Sequence, residues 1–212
     1  MKRLILAVIA SLAFSGAAFS QVSYGLKAGL NLAKYSEVAI EGLEDYAKMN
    51  PTFYVTGFAD IPVAPQFSIQ PGLSLQGKGA KYKGEEGGTT GTITINTMSI
   101  EIPVNAVYYI PAGPGSVFLG AGPYAGYNIS GKVKSKTTGN DESSEDTDLS
   151  FSGDDKDMNA FEAGINFLAG YKLSNGFLIN AGYGLGLTNL NPDSDGQNIK
   201  NRVISVGVGF QF

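Results

Sequence analysis

Six ionisable side chains stand at equivalent points of a repeated pattern: Lys27, Asp60, Lys78, Glu101, Glu162 and Lys172. Each lies on the polar side of a stretch in which apolar residues alternate with small or polar ones. Three are cations and three are anions. Gathered inside one barrel, such a set could form a gated polar path for ions, or a salt-bridge network that fills the space. An eight-stranded barrel has an interior just wide enough for side chains. A buried charge also needs a partner to offset its desolvation. The pattern therefore predicts a plug of mutually paired charges.

Other polar clusters predict less chemistry. Residues 130–159 hold Asp141, Glu142, Glu145, Asp146, Asp148, Asp154, Asp155 and Asp157 beside Lys132, Lys134, Lys136 and Lys156. Such oxygens can bind a divalent cation, but runs of like charge ordinarily form a solvated loop. "NPDSDG" (191–196) has the opening spacing of a calcium loop, yet Arg202 falls where a bidentate Glu is required. The glycines of 84–92 precede neither a Lys-Ser/Thr pair nor a helix, so phosphate binding is unsupported. The chain has no Cys and no His, which removes thiol nucleophiles, imidazole acid–base chemistry and nearly every zinc site. No catalytic, metal-ligating or cofactor-binding residue is expected, and the protein is not expected to be an enzyme.

The elements that must position these side chains are strands. Eight segments alternate with period two, near residues 23–33, 53–61, 67–79, 95–109, 117–129, 161–173, 177–190 and 202–212. Three connections are tight: "PVAP" (62–65), "PAGPG" (111–115) and "SNG" (174–176). Four are long and polar: roughly 34–50, 80–92, 130–159 and 190–201. Short and long connections on opposite sides are the pattern of outer-membrane barrels, with periplasmic turns and extracellular loops.

The N-terminus points the same way. "MKR" precedes a mostly apolar run from Leu4 to Phe14, too short to span a bilayer, and then "SGAAFS" before Gln21. This predicts a signal peptide over 1–20 and a barrel over 21–212. Loss of Lys2 and Arg3 takes the net charge from −4 to −6, which disfavours nucleic acid as a partner.

Which face is apolar separates a membrane barrel from a soluble one. The polar face carries Gly, Ser, Asn and Gln with only those six charges, where a solvated exterior would hold far more Lys and Glu. Glycine, at 29 of 212 residues, is about twice its usual ~7 % and leaves room in a narrow lumen. The expected fold is all-β: an eight-stranded antiparallel up-and-down transmembrane barrel with three short periplasmic turns and four long extracellular loops. Tyr24, Tyr82, Tyr108, Tyr109 and Tyr171 are expected in the interfacial girdle. The strand "RVISVGVGFQF" is expected to close the barrel, with Phe210 and Phe212 as an assembly signal read by the barrel-assembly machinery.

At "YGLKAGLNLA" (24–33), "QPGLSLQGKGAKY" (70–82) and "IEIPVNAVYY" (100–109) the chain resembles the PorT-like outer-membrane β-barrel family, whose barrels are of the OmpA/OmpX type. In that family a Gly-Lys/Arg-x-Gly-x-Asn first strand recurs, as do a Gln-x-x-Gly turn and a "LEIP"-like strand. Here Ile100 takes the place of the Leu. These motifs are structural. The resemblance implies an outer-membrane barrel; one group of the family serves protein secretion and gliding, and most members have no assigned activity.

The expected function is a non-enzymatic integral outer-membrane barrel with a plugged polar lumen and a structural or loop-mediated role. Its partners would be outer-membrane lipid and, through the loops, an extracellular or envelope protein. The alternatives are an accessory subunit of a secretion or envelope machine, and a soluble lipocalin-like barrel with an apolar pocket.

Overall fold

A strand apolar on one face and small or polar on the other needs hydrogen-bonding neighbours on both edges to cross a lipid layer. The chain meets that requirement by closing on itself. The structure, a computed structural model, describes residues 22–36, 46–86, 88–139, 142–153, 155–193 and 198–212. The signal peptide expected over 1–20 lies outside them, as do Asp141, Asp154, Asp195 and Gly196 of the expected acidic clusters.

The strands are β1 (Ser23–Tyr35), β2 (Ala47–Lys48), β3 (Asn50–Ala64), β4 (Phe67–Glu86), β5 (Thr89–Ala112), β6 (Gly115–Thr138), β7 (Ser143–Asp148), β8 (Phe161–Leu173), β9 (Phe177–Gly186) and β10 (Asn201–Gln211). Eight of them form an antiparallel ring, in the order β1, β3, β4, β5, β6, β8, β9, β10. The ring closes where β10 pairs with β1, from Gly25↔Gln211 to Tyr35↔Asn201. β2 and β7 are additions on β4 and β6. The barrel is the expected up-and-down one.

Its two rims differ. At one, three tight turns join β3 to β4, β5 to β6 and β8 to β9. Gly113 and Gly176 take φ of 59° and 93° there, a backbone region that costs glycine nothing. Tyr24 and Phe212 exchange backbone hydrogen bonds of 3.2 and 2.9 Å at this rim. The opposite rim carries the long connections, and two of them differ from expectation. The 80–92 segment is no loop: β4 runs to Glu86 and β5 starts at Thr89, so the hairpin stands well above the ring. Thr and Ile alternate through "TTGTITINT", a strand-favouring composition that outweighs the glycines. Within 130–159, β6 continues to Thr138 and β7 folds back along it. Lys132 faces Asp148 and Lys134 faces Asp146 across that pair, and opposite charges stabilise such a ladder.

The polarity of the ring is inverted relative to a soluble protein. Leu26, Leu73 and Ile102 are 57 %, 61 % and 59 % exposed, and Ile204, Val206, Val208 and Phe210 line the outside of β10. Asn31, Ser74, Lys78, Ser99, Glu101 and Glu162 are buried within. A lipocalin-like pocket requires the reverse arrangement. The outward apolar column on β5 runs from Tyr108 to Met98. At about 3.4 Å per residue and a tilt near 40° this covers ~25 Å, the height of a membrane barrel's apolar band.

Candidate functional site

The inward side chains form layers along the barrel axis, and the charged residues occupy two of them. In the layer nearest the long connections, Lys78 on β4 reaches Glu101 on β5 and Glu162 on β8. Its Nζ makes an ion pair with Glu101 and donates to Glu162 Oε1 at 3.0 Å. Tyr124 Oη donates to Glu162 Oε1 at 2.7 Å, and Asn201 Nδ2 donates to Oε2 at 2.9 Å. Ser99 Oγ donates to Glu101 at 3.3 Å. The Lys78 ammonium also lies 4.7 Å from the centre of the Tyr124 ring. One cation thus serves two carboxylates, and hydroxyl and amide donors supply the rest of their solvation. All three side chains are almost wholly buried.

The second charged layer sits at the short-turn rim. Asp60 accepts from Gln70 at 2.9 Å, from Tyr109 Oη at 3.2 Å and from Gln211 at 3.2 Å. Lys172 donates to Gln211 Oε1 at 3.0 Å and lies 4.5 Å over the Tyr109 ring. Lys27 stands one level further in, its ammonium 4.5 Å over the Phe58 ring. The single network of six expected from the sequence is therefore two clusters. All six side chains are on the inner face, but of these six only Lys78, Glu101 and Glu162 form direct ion pairs with one another. The separation has a geometric cause: the clusters lie at opposite ends of the strands, beyond side-chain reach. Aromatic faces and amides serve Lys27 and Lys172 in place of carboxylates.

Between the charged layers, Tyr54, Asn105, Asn166 and Asn180 surround a polar cavity of about 80 Å³. Asn180 Nδ2 donates to Tyr54 Oη at 2.8 Å. Phe58, Val107, Phe118 and Leu178 form an apolar layer between this cavity and the short-turn rim. Above the Lys78 cluster a second apolar layer contains Tyr35, Tyr82, Ile95, Met158 and Leu190. Met158 and Leu190 come from long connections that fold into the mouth, fixed by Asn159 N–H donating to Leu190 O at 2.8 Å.

Sequence reasoning missed these apolar layers. Inward aromatic rings fit against strands whose facing residues are glycine. A methyl group added at Gly25 would meet Phe58, at Gly29 or Gly207 it would meet Tyr54, and at Gly164 and Gly170 it would meet Tyr124 and Phe118. These five glycines thus make room for large inward rings. Two girdle assignments are corrected on the same ground. Tyr24 and Tyr108 face outward, but Tyr82 is buried in the upper apolar layer and Tyr109 turns inward to Asp60. Tyr108 and Tyr109 are adjacent on one strand and must point to opposite faces. Tyr171 donates to Ala112 O at 2.6 Å at the short-turn rim.

Phe210 and Phe212 are exposed on the outer face of the closing strand and its end. Among the described residues no group of three or more His, Cys, Asp or Glu converges to hold a metal ion. The carboxylates Asp146 and Asp148 instead face lysines at 3.6–4.0 Å. This interior holds charge in fixed positions.

The family model described as outer membrane protein beta-barrel domain matches residues 14–191. No curated protein matches the chain. Among solved structures it is similar to Neisserial surface protein A (15 % identity, TM-score 0.44, covering 90 % of this chain and 97 % of that one). It is similar also to Ail, the attachment invasion locus protein of Yersinia pestis, solved in complex with the heparin analogue sucrose octasulfate (13 %, 0.38, 91 % and 99 %). A third is the N-terminal β-barrel domain of Pseudomonas aeruginosa OprF (14 %, 0.36, 92 % and 100 %).

Proposed function

The chain belongs to the outer membrane protein beta-barrel domain family, and from that membership we propose a non-enzymatic outer-membrane protein with a plugged lumen that acts through the segments at its long-connection rim. One observation carries the reading. The outside of the ring is apolar across a membrane's thickness, while among the described residues the inside is filled by stacked polar and apolar layers. Such a molecule presents its chemistry at its rim. The short turns would face the periplasm and the long hairpins the exterior, where an extracellular or envelope partner could dock. The signal peptide over 1–20 and a role for Phe210 and Phe212 in recognition by the assembly machinery belong to the same proposal.

A narrower reading, an accessory subunit of a secretion or envelope machine as in PorT-like proteins, is supported by the segments at 24–33, 70–82 and 100–109. The side chains that carry that resemblance include Lys78 and Glu101, so its motif residues coincide with the plug.

The test is cell fractionation with heat-dependent gel mobility, followed by protease added to intact cells. The protein is expected in the outer-membrane pellet, with faster migration before boiling and cleavage confined to the long-connection side. Recovery in the soluble fraction with no mobility shift would refute the membrane assignment. Stable co-purification with envelope proteins would favour the accessory-subunit reading.

A further inference from the structure

The outer face of β4–β6 changes character abruptly above the apolar band. On β5 the outward residues run Ile102, Ile100, Met98, then Asn96, Thr94 and Thr92. On β6 they run Tyr127 and Ile129, then, past a register shift, Lys132, Lys134 and Lys136. On β4 Leu73 and Leu75 are followed, beyond two glycines, by Lys81 and Lys83. The register aligns these side chains in rows. Lys81, Thr94 and Lys134 lie side by side, as do Lys83, Thr92 and Lys136, and β2 sets Lys48 beside Lys81.

We propose that this lysine and threonine face binds the phosphates of anionic lipid headgroups in the leaflet from which the hairpin rises. The inference rests on the membrane reading above, and height decides the occupant. Each residue along a tilted strand rises by about 2.5 Å. Lys132 and the Lys81–Lys134 row then sit roughly 5–10 Å beyond the Met98 row, within and at the edge of the headgroup layer. The long side chains of Lys83 and Lys136 reach down into the same layer from above. The lysines continue the very face that contacts lipid chains, so the lipid surface is already their neighbour. The charge is also local, because the chain as a whole carries −4. Among the described residues no carboxylate makes an ion pair with Lys48, Lys81, Lys83 or Lys136. Asp146 and Asp148 approach Lys132 and Lys134 only as exposed pairs at 3.6–4.0 Å, which water and salt weaken. Thr92 and Thr94 place hydroxyl donors between the cations.

The experiment reconstitutes the full chain into vesicles of phosphatidylcholine, alone or mixed with a minority of phosphatidylglycerol, and counts the lipids retained on the released protein by native mass spectrometry. Retained lipid is expected to be enriched in phosphatidylglycerol at low salt, and the enrichment is expected to vanish at high salt. The variant combining Lys81→Gln, Lys83→Gln, Lys134→Gln and Lys136→Gln should lose about fivefold of the enrichment for each lysine that touches a headgroup. It should still fold in phosphatidylcholine. Asp146→Asn with Asp148→Asn should raise the enrichment by releasing Lys132 and Lys134. Wild-type protein that folds but shows no enrichment, or a four-lysine variant that keeps it, would overturn the proposal while leaving the membrane reading intact. Inorganic phosphate that displaces lipid better than chloride of equal ionic strength would overturn the lipid assignment in favour of a free-phosphate site. Failure of wild-type protein to fold into either vesicle would refute the membrane reading, and this inference with it.

Discussion

At the scale of single residues, Lys78 has the largest share in holding the interior together. Among the described residues it is the one cation within ion-pair distance of Glu101 and Glu162, both almost wholly buried. Lys78→Met would leave two carboxylates in the interior without a counter-charge. Breaking a buried pair in this way costs about 3–5 kcal/mol. Glu101→Gln should cost less, because Glu162 remains to balance the ammonium and Ser99 can still donate to the amide oxygen. Asn180→Ala should cost about 1 kcal/mol, since it removes one hydrogen bond, to Tyr54 Oη. Urea unfolding in detergent micelles, followed by gel mobility, would rank the three. Equal loss in all three would mean that the charged cluster has no special place in the fold. The inward placement of Lys78, Glu101 and Glu162 was legible in the sequence because period-two alternation fixes the face of a side chain. Their pairing was not legible. It depends on which rows of β4, β5 and β8 stand level around a sheared ring, a three-dimensional property that spacing along one strand does not carry.

At the scale of elements, each ring strand carries two independent requirements, one per face. On β10, Val206 is half-exposed on the outer side, between neighbours β1 and β9. A cationic residue in mid-membrane costs about 2–4 kcal/mol there and Asp somewhat less. Val206→Asp should therefore lower the yield of heat-modifiable barrel more than Asn180→Ala. Inner-face glycines impose the opposite requirement. Gly164→Leu has no room beneath the Tyr124 ring and should disturb the Glu162 hydrogen bond that this ring supplies. Refolding yield measures both, and equal tolerance at the two faces would contradict the inverted polarity. Removal of Phe212 separates assembly from stability. It takes away one backbone pair with Tyr24, so refolding into micelles should be nearly normal. Assembly in cells should fall if the terminal aromatic is recognised. Strand existence was legible throughout the ring, and facing too except at Tyr82 and Tyr109, but two long connections differ from the sequence expectation. Their lysine, threonine and glycine content resembles a solvated loop. The cross-strand pairing that turns 80–92 and 130–148 into hairpins joins residues whose register no single strand reveals.

At the scale of the whole molecule, function turns on whether anything passes through. On the proposed reading, four layers of side chains obstruct the axis in series: the Met158–Leu190 layer, the Lys78 cluster, the Phe58–Phe118 layer and the Asp60–Lys172 rim. Resistances in series add, so opening one leaves the others in control. Wild-type protein in a planar bilayer should show no steady conductance. Met158→Ser with Leu190→Ser, which opens only the outer layer, should stay closed as well. So should Lys78→Ser combined with Glu101→Ser and Glu162→Ser, which removes charge and bulk in one layer and leaves the aromatic layer below. Steady ohmic current in the wild type would show that the interior is a channel. Current that appears on opening a single layer would show that the other three are not barriers. A closed result in all three proteins moves the barrel's action from its lumen to its surface. It would direct the search for its partner to the hairpins of β4 to β7.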